Sequence, residues 1–263
     1  MQNMKIDKEW IDFACHLADV AGGIIRPYFR RDYTVKLKQD LSPVTQADEE
    51  AESAMRAEIR RCFPGHGILG EEGGREGDGA EWTWVLDPID GTKSFITGKP
   101  LFTTLIALCR GDAPVLSVID QPIISERWLG VTGQQTTLND KQIRASSCEI
   151  LADARLSTTS PFLFREEDKP RFLALSKQCA VTTYGGDAYA YALLAAGQVD
   201  LIVESGLKPY DMMALVPVLQ GAGASLVDWS GRPLTIISGG DVIAAATGTL
   251  ATQARNILSL ALS

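Results

Sequence analysis

Asp87 and Asp90 stand three apart where the apolar run Val85-Leu86 ends, in the stretch Asp87-Pro88-Ile89-Asp90-Gly91-Thr92-Lys93-Ser94-Phe95. A turn across Pro88 can aim both carboxylates at one point and leave the Ile89 carbonyl free as a further oxygen donor. Such an all-oxygen set suits a hard cation, Mg²⁺ or Mn²⁺, far better than zinc. Gly91 and Thr92 then supply two consecutive backbone N–H groups, and a glycine lets the chain approach a phosphate closely. The motif therefore points to phosphate chemistry beside a metal. An ordinary surface turn also uses Asp-Pro-x-Asp-Gly, so its surroundings decide the reading.

Those surroundings are acidic. Gly70-Glu71-Glu72 lies upstream, and Asp211 follows Pro209 just before the apolar stretch Met212 to Leu219, where a carboxylate would equally complement a helix dipole. His16 and His66 are the only histidines, and neither sits where a catalytic imidazole is expected. Chemistry at neutral pH falls to carboxylates, hydroxyls and metal-bound water. Without a GxSxG elbow or a Cys/His pairing, covalent serine or cysteine catalysis has no support.

The elements that must position these groups can be read from periodicity. Apolar residues from Trp10 to Ile25 recur at helical spacing after a candidate N-cap at Asp7, which predicts a first helix ending near Phe29. Thr45 with Asp48 three residues later is a capping-box variant for a second helix from about Ala47, stopped by Phe63-Pro64-Gly65. Short β-rich runs follow at Trp82 to Leu86, Thr103 to Cys109, Val115 to Ile119 and Arg127 to Val131, an antiparallel-looking half with Trp82 and Trp84 on one strand face. Strands at 155–158, 181–183, 201–204, 225–228 and 242–246 then alternate with helical patterns at 169–178, 188–196, 210–221 and 250–262. The expected organisation is an N-terminal α+β half, 1–147, carrying the acidic motifs, and a C-terminal α/β half, 148–263, closing the site within one catalytic unit.

Composition narrows the function further. With 45% hydrophobic residues the 263-residue chain can bury a large core, which excludes disordered and fibrous classes. Its 25 basic and 33 acidic side chains give a net charge of -8, so a nucleic-acid substrate is not indicated. An anionic substrate would need bound divalent cations to invert the local field. Five cysteines without a CxxC pair read as reduced, buried thiols. Neither a secretory apolar region nor a window of ~18–20 apolar residues is present, so the expectation is a cytoplasmic protein with no membrane partner.

Gly70-Glu71-Glu72, Asp87-Pro88-Ile89-Asp90-Gly91-Thr92, and Tyr210-Asp211 with the later Gly221-Ala222-Gly223-Ala224 together resemble the inositol monophosphatase superfamily over essentially the whole chain. The Asp-x-Asp-Gly-Thr motif of haloacid-dehalogenase-type phosphatases is a poorer match, because Asp87 and Asp90 are separated by one residue too many. The resemblance implies a layered α-β-α-β-α sugar-phosphatase fold, a homodimer, and lithium-sensitive, Mg²⁺-dependent hydrolysis of a small phosphorylated metabolite. It implies two or three Mg²⁺ per site, with Mn²⁺ as a substitute. Glu71, Asp87 and the Ile89 carbonyl would hold the first, and Asp87, Asp90 and Asp211 the second. It further implies that Asp90, Gly91 and Thr92 meet the phosphate, that Glu71 and Thr92 orient the attacking water, and that Asp48 supports the threonine hydroxyl. Helix-terminus compensation is the plain alternative for Asp48.

For the substrate, Lys93-Ser94-Phe95 and Leu207-Lys208-Pro209-Tyr210-Asp211 look like the bacterial histidinol-phosphatase branch. The resemblance places Asp187, Glu204 and Lys93 at the rim that reads the leaving group, and two carboxylates there suit a cationic alcohol. Asp187 could instead only cap a helix and Glu204 only end a strand. Histidinol phosphate, and with it a place in histidine biosynthesis, is the expected substrate; inositol 1-phosphate is the alternative, ahead of phosphoadenosine phosphate and fructose 1,6-bisphosphate. A regulatory partner of the transcription machinery is the non-enzymatic alternative.

Overall fold

A computed structural model describes residues 6–38 and 43–259. β1 (Val35–Leu37) and β2 (Pro43–Thr45) form an antiparallel pair. β3 (Gly67–Gly70), β4 (Gly74–Glu76), β5 (Trp82–Asp90), β6 (Thr103–Arg110), β7 (Ala113–Gln121), β8 (Glu126–Val131), β9 (Thr137–Leu138) and β10 (Lys141–Gln142) make an eight-stranded sheet in the order β10-β9-β8-β7-β6-β5-β3-β4. β11 (Arg155–Thr158), β12 (Val181–Tyr184), β13 (Leu201–Glu204), β14 (Ser225–Asp228) and β15 (Val242–Ala245) make a five-stranded sheet in the order β12-β11-β13-β15-β14. The α-helices among the described residues are α1 (Lys8–Tyr28), α2 (Gln46–Cys62), α3 (Thr92–Ile96), α4 (Lys169–Ser176), α5 (Asp187–Ala195), α6 (Pro209–Met212), α7 (Leu215–Gly221) and α8 (Gly248–Leu258).

Side-chain alternation along the strands builds the layers. On β5, Trp84 and Leu86 face one way, into a core with Phe13, Leu17 and Ile25 of α1 and Met55 and Ile59 of α2. Val85 faces the other way, into a core shared with Tyr191 and Leu194 of α5, Leu215 and Val218 of α7, and Ile202 and Val242 of the second sheet. The far side of that sheet buries Leu156, Val203 and Ile243 against Phe172 of α4 and Leu250 and Leu258 of α8. The order is thus helices, sheet, helices, sheet, helices, the expected α-β-α-β-α layering. At the central junction Gly130 of β8 lies so close to α7 that a Cβ there would overlap the Val218 backbone.

Several local expectations are corrected. The first sheet is not wholly antiparallel, because β3 runs parallel to β5. The helix expected over 210–221 is two helices, α6 and α7. Pro217 has no N–H to continue a helix from 209, and it is tolerated in the first turn of α7, where that donor would have no helical acceptor. Residues 260–262 of the last expected helix lie outside the described residues. All five cysteines are free, but only Cys109 is buried; Cys62, which ends α2, is exposed.

Both histidines are engaged away from the acidic cluster. His66 stacks on Phe63 at 4.8 Å between centroids and takes the Trp84 Nε1 hydrogen at 3.1 Å, while His16 lies 3.2 Å from Glu58 Oε2. Among the described residues no helix is long and apolar enough to cross a membrane.

Candidate active site

The geometry of Asp87 and Asp90 comes from a bulged strand rather than a turn. Asp87 pairs with Leu105 and Asp90 with Thr103, so three steps on β5 match two on β6. In a regular strand residues three apart face opposite sides; the one extra residue returns both carboxylates to the same side. Asp87 is buried, and its Oδ1 accepts the Ile89 N–H at 3.0 Å. Asp90 Oδ2 accepts the Ala188 N–H at the start of α5, 2.6 Å away. Asp211 comes in on α6, which packs on β5, and its Oδ2 accepts the Lys208 N–H at 2.7 Å. Asp87, Asp90 and Asp211 each bring one carboxylate oxygen within 4.8 Å of the others.

Glu71 reaches the neighbourhood through the parallel β3–β5 pair. Gly70 is in register with Leu86, so the next residues, Glu71 and Asp87, are neighbours, and the Glu71 N–H donates to the Leu86 carbonyl at 3.2 Å. Its carboxylate is not part of the three-aspartate group. Lys38, at the end of β1, places its Nζ 2.7 Å from both Glu71 Oε1 and Glu72 Oε1. Nothing in the local sequence singles out this lysine, because the contact joins residues more than thirty positions apart.

The Ile89 carbonyl accepts the Thr92 hydroxyl at 3.1 Å and keeps its second lone pair for a further partner. Asp48 does not reach that hydroxyl. Its Oδ2 accepts from the Thr45 N–H at 2.8 Å and from the Thr45 hydroxyl at 2.5 Å, which closes the capping box of α2. Asp48 Oδ1 is buried without a partner among the described residues. Gly91 has φ of +87° and opens α3 at Thr92. A Cβ at Gly91 would lie 2.9 Å from Asp187 Oδ2, so glycine here allows both the left-handed turn and the approach of Asp187.

A pocket opens from Asp90 and Asp211 toward the second sheet, lined also by Asp187, Glu204, Thr159 and Leu163, with no basic side chain in its lining among the described residues. Asp187 is the first residue of α5 and holds φ of +44°. Glu204 ends β13, buried, with Oε1 accepting from the Thr159 N–H at 2.7 Å and the Thr159 hydroxyl at 2.5 Å. Thr159 had no signal in the sequence. Lys93 is exposed on α3, and its charge reaches Asp187.

Burial and mutual repulsion act together on the carboxyl groups of this arrangement. Burial, then the neighbouring Glu71, Asp90 and Asp211, pushes the Asp87 carboxyl well above its ordinary range. Burial, then Asp187 and Asp211, does the same to Asp90. Burial pushes Asp211 and Glu204 up to about 7 and Asp48 to about 6. Like charges this close each favour the protonated form, and a bound divalent cation relieves all of them at once. The donor set, all carboxylates, fits a hard cation.

A model of the inositol monophosphatase family matches residues 7–259. The chain is 53% identical to the chloroplastic bifunctional phosphatase IMPL2 of Arabidopsis thaliana over 82% of its length, and spans 63% of that relative, less than two thirds. It is 33% identical to a histidinol-phosphatase of Chlorobaculum parvum, over 89% of this chain and 91% of that one. An inositol monophosphatase structure from Zymomonas mobilis superposes with a TM-score of 0.90 at 47% identity, covering 98% of this chain and 100% of that one.

Proposed function

The chain belongs to the inositol monophosphatase family of phosphatases, and from that premise we propose that it hydrolyses L-histidinol phosphate to L-histidinol and phosphate in a Mg²⁺-dependent reaction of histidine biosynthesis. The observation that carries the substrate choice is the acidic pocket: Asp187 and Glu204 join Asp90 and Asp211 in a lining without a basic side chain among the described residues. An ammonium and an imidazole fit such a pocket; the neutral ring of an inositol gains nothing from its charge.

Asp87, Asp90 and Asp211, with Glu71, would hold the metal. Bound there, it would neutralise phosphate charge, lower the pKa of a water and stabilise the departing alkoxide. The remaining roles belong to the chain itself. Gly91 and Thr92, at the start of α3, would present N–H groups to phosphate oxygens. Since the Thr92 proton is directed at the Ile89 carbonyl, its oxygen is turned to accept from a water, which is how Thr92 and Glu71 would orient the nucleophile. Asp187 and Glu204 would hold the cationic alcohol, with Lys93 limiting the negative charge at Asp187. A homodimer in the cytoplasm, acting on a small metabolite and not on nucleic acid, belongs to the same proposal.

The test is phosphate release from L-histidinol phosphate, inositol 1-phosphate and 3′-phosphoadenosine 5′-phosphate, each with Mg²⁺ and with chelator. Mg²⁺-dependent preference for histidinol phosphate is expected. Preference for another ester keeps the metal chemistry and discards the substrate. No metal-dependent release from any of them favours the regulatory-partner alternative.

A further inference from the structure

We propose that Glu52, locked by Arg56, is a positioning residue that sets where the metal ligand Glu71 stands; this rests on the metal-dependent reading above. Glu71 begins the turn between β3 and β4. While its own N–H is held by Leu86 of β5, the next two, on Glu72 and Gly73, donate to Glu52 Oε2 at 2.8 Å and Oε1 at 2.7 Å. Glu52 is 1% exposed. Arg56, one helical turn further along α2 and 5% exposed, donates through Nε to Glu52 Oε1 at 2.7 Å and through a terminal nitrogen to the Gly74 carbonyl at 2.5 Å. Its other terminal nitrogen pairs with Glu76 of β4. Three consecutive residues, the turn residues 72 and 73 and the first residue of β4, thus have a backbone group fixed by one buried ion pair.

The backbone lies directly on this pair. A Cβ at Gly70 would run into Glu52 Oε1, and one at Gly73 would come 2.8 Å from Arg56 Nε. A buried ion pair is weak evidence for stability, since apolar replacements of the same volume are often neutral. What it supplies here is direction. Both Glu52 oxygens are used as acceptors, so no neutral isostere can replace them: glutamine keeps one oxygen and must turn its NH₂ toward N–H donors. The helix that carries Glu52 is itself anchored by the Thr45–Asp48 capping box one turn earlier. A shift of the turn moves Glu71 relative to Asp87, and supporting residues of this kind change metal affinity by roughly 10–100-fold when lost.

Calorimetric titration of Mn²⁺ into the chelator-stripped protein tests this, with unfolding midpoints measured in parallel and Ser53→Ala, an exposed change on the same helix, as the control. Glu52→Gln is expected to weaken Mn²⁺ binding about 10–100-fold and to lower kcat with little change in substrate KM. Arg56→Lys keeps the Glu52 contacts to the turn but loses the fork, and is expected to weaken binding several-fold. A folded Glu52→Gln protein with wild-type Mn²⁺ affinity overturns the proposal, whatever its midpoint. If Glu52→Gln does not fold, Arg56→Lys decides: weaker binding supports the proposal and unchanged binding overturns it. Failure of the wild-type protein to bind Mn²⁺ would instead overturn the metal-dependent reading.

Discussion

The Ala188 N–H donates to Asp90 Oδ2 at 2.6 Å, tying the last residue of β5 to the first turn of α5. The bond joins the strand that carries the aspartates to the helix that carries Asp187. Asp90→Asn keeps an oxygen that can accept this N–H but removes the charge. Turnover is therefore expected to fall by at least about 100-fold, the upper effect of losing a residue that only supports a metal site, with the fold retained. Because burial, then repulsion from Asp187 and Asp211, raises the Asp90 pKa, the metal-free variant is expected to melt no lower than wild type. Steady-state kinetics with Mg²⁺ and melting in chelator check both halves; near-normal turnover removes Asp90 from the metal set.

The pH dependence of the metal-free protein follows from the same cluster. Asp87 and Asp90 are raised well above the carboxylate range, and Asp211 and Glu204 to about 7. Between the unfolded values near 4 and these folded values the native state binds more protons than the unfolded one, so stability falls as pH rises. Melting in chelator is expected to drop steadily from about pH 4.5 to 7.5. Saturating Mg²⁺ should remove that slope and raise the midpoint most at neutral pH, since a ligand of the native state adds stability. A chelated protein with a flat or rising profile would contradict the assigned shifts.

Asp187 is held at φ of +44°, a conformation that asparagine accepts more readily than alanine. Asp187→Asn is thus the substitution that removes charge without straining the start of α5. It is expected to lower kcat/KM for histidinol phosphate about tenfold, roughly the worth of one charged hydrogen bond, and to leave a neutral sugar phosphate nearly unaffected. Equal losses on both substrates would sink the cationic-pocket argument.

What the sequence made legible was local. The 3.6-residue periodicity of α1 and the Thr45–Asp48 cap of α2 both appear where expected, and so does the alternation that splits β5 between two cores. The acidic motif was legible by type, but the reason its carboxylates converge was not. That reason is a register shift against β6, visible only once the partner strand is known. Likewise β3 is four residues long and bounded by glycines, too short to show alternation, yet its parallel pairing places Glu71 beside Asp87. Lys38, Glu52 and Thr159 act through partners distant in the chain, and no spacing rule announces such contacts. Asp48 is the reverse case, where the local capping signal describes the observed hydrogen bonds better than the role drawn from resemblance.

The last prediction concerns the central layer that holds the acidic pocket together. Gly130 of β8 is buried, and a Cβ there would overlap the backbone at Pro217 and Val218 of α7. Backbone cannot rotate aside as a side chain does, so Gly130→Ala must push α7 away from the first sheet. Overpacking of this kind costs about 3 kcal/mol. Since α7 shares its core with α5 and with β5, the displacement loosens the junction where Asp90, Asp187 and Asp211 meet. Urea unfolding is expected to show that loss in chelator, with part of it recovered by saturating Mg²⁺, because metal binding opposes any separation of its ligands. A variant as stable as wild type would show that the close approach of β8 and α7 is not needed by the fold.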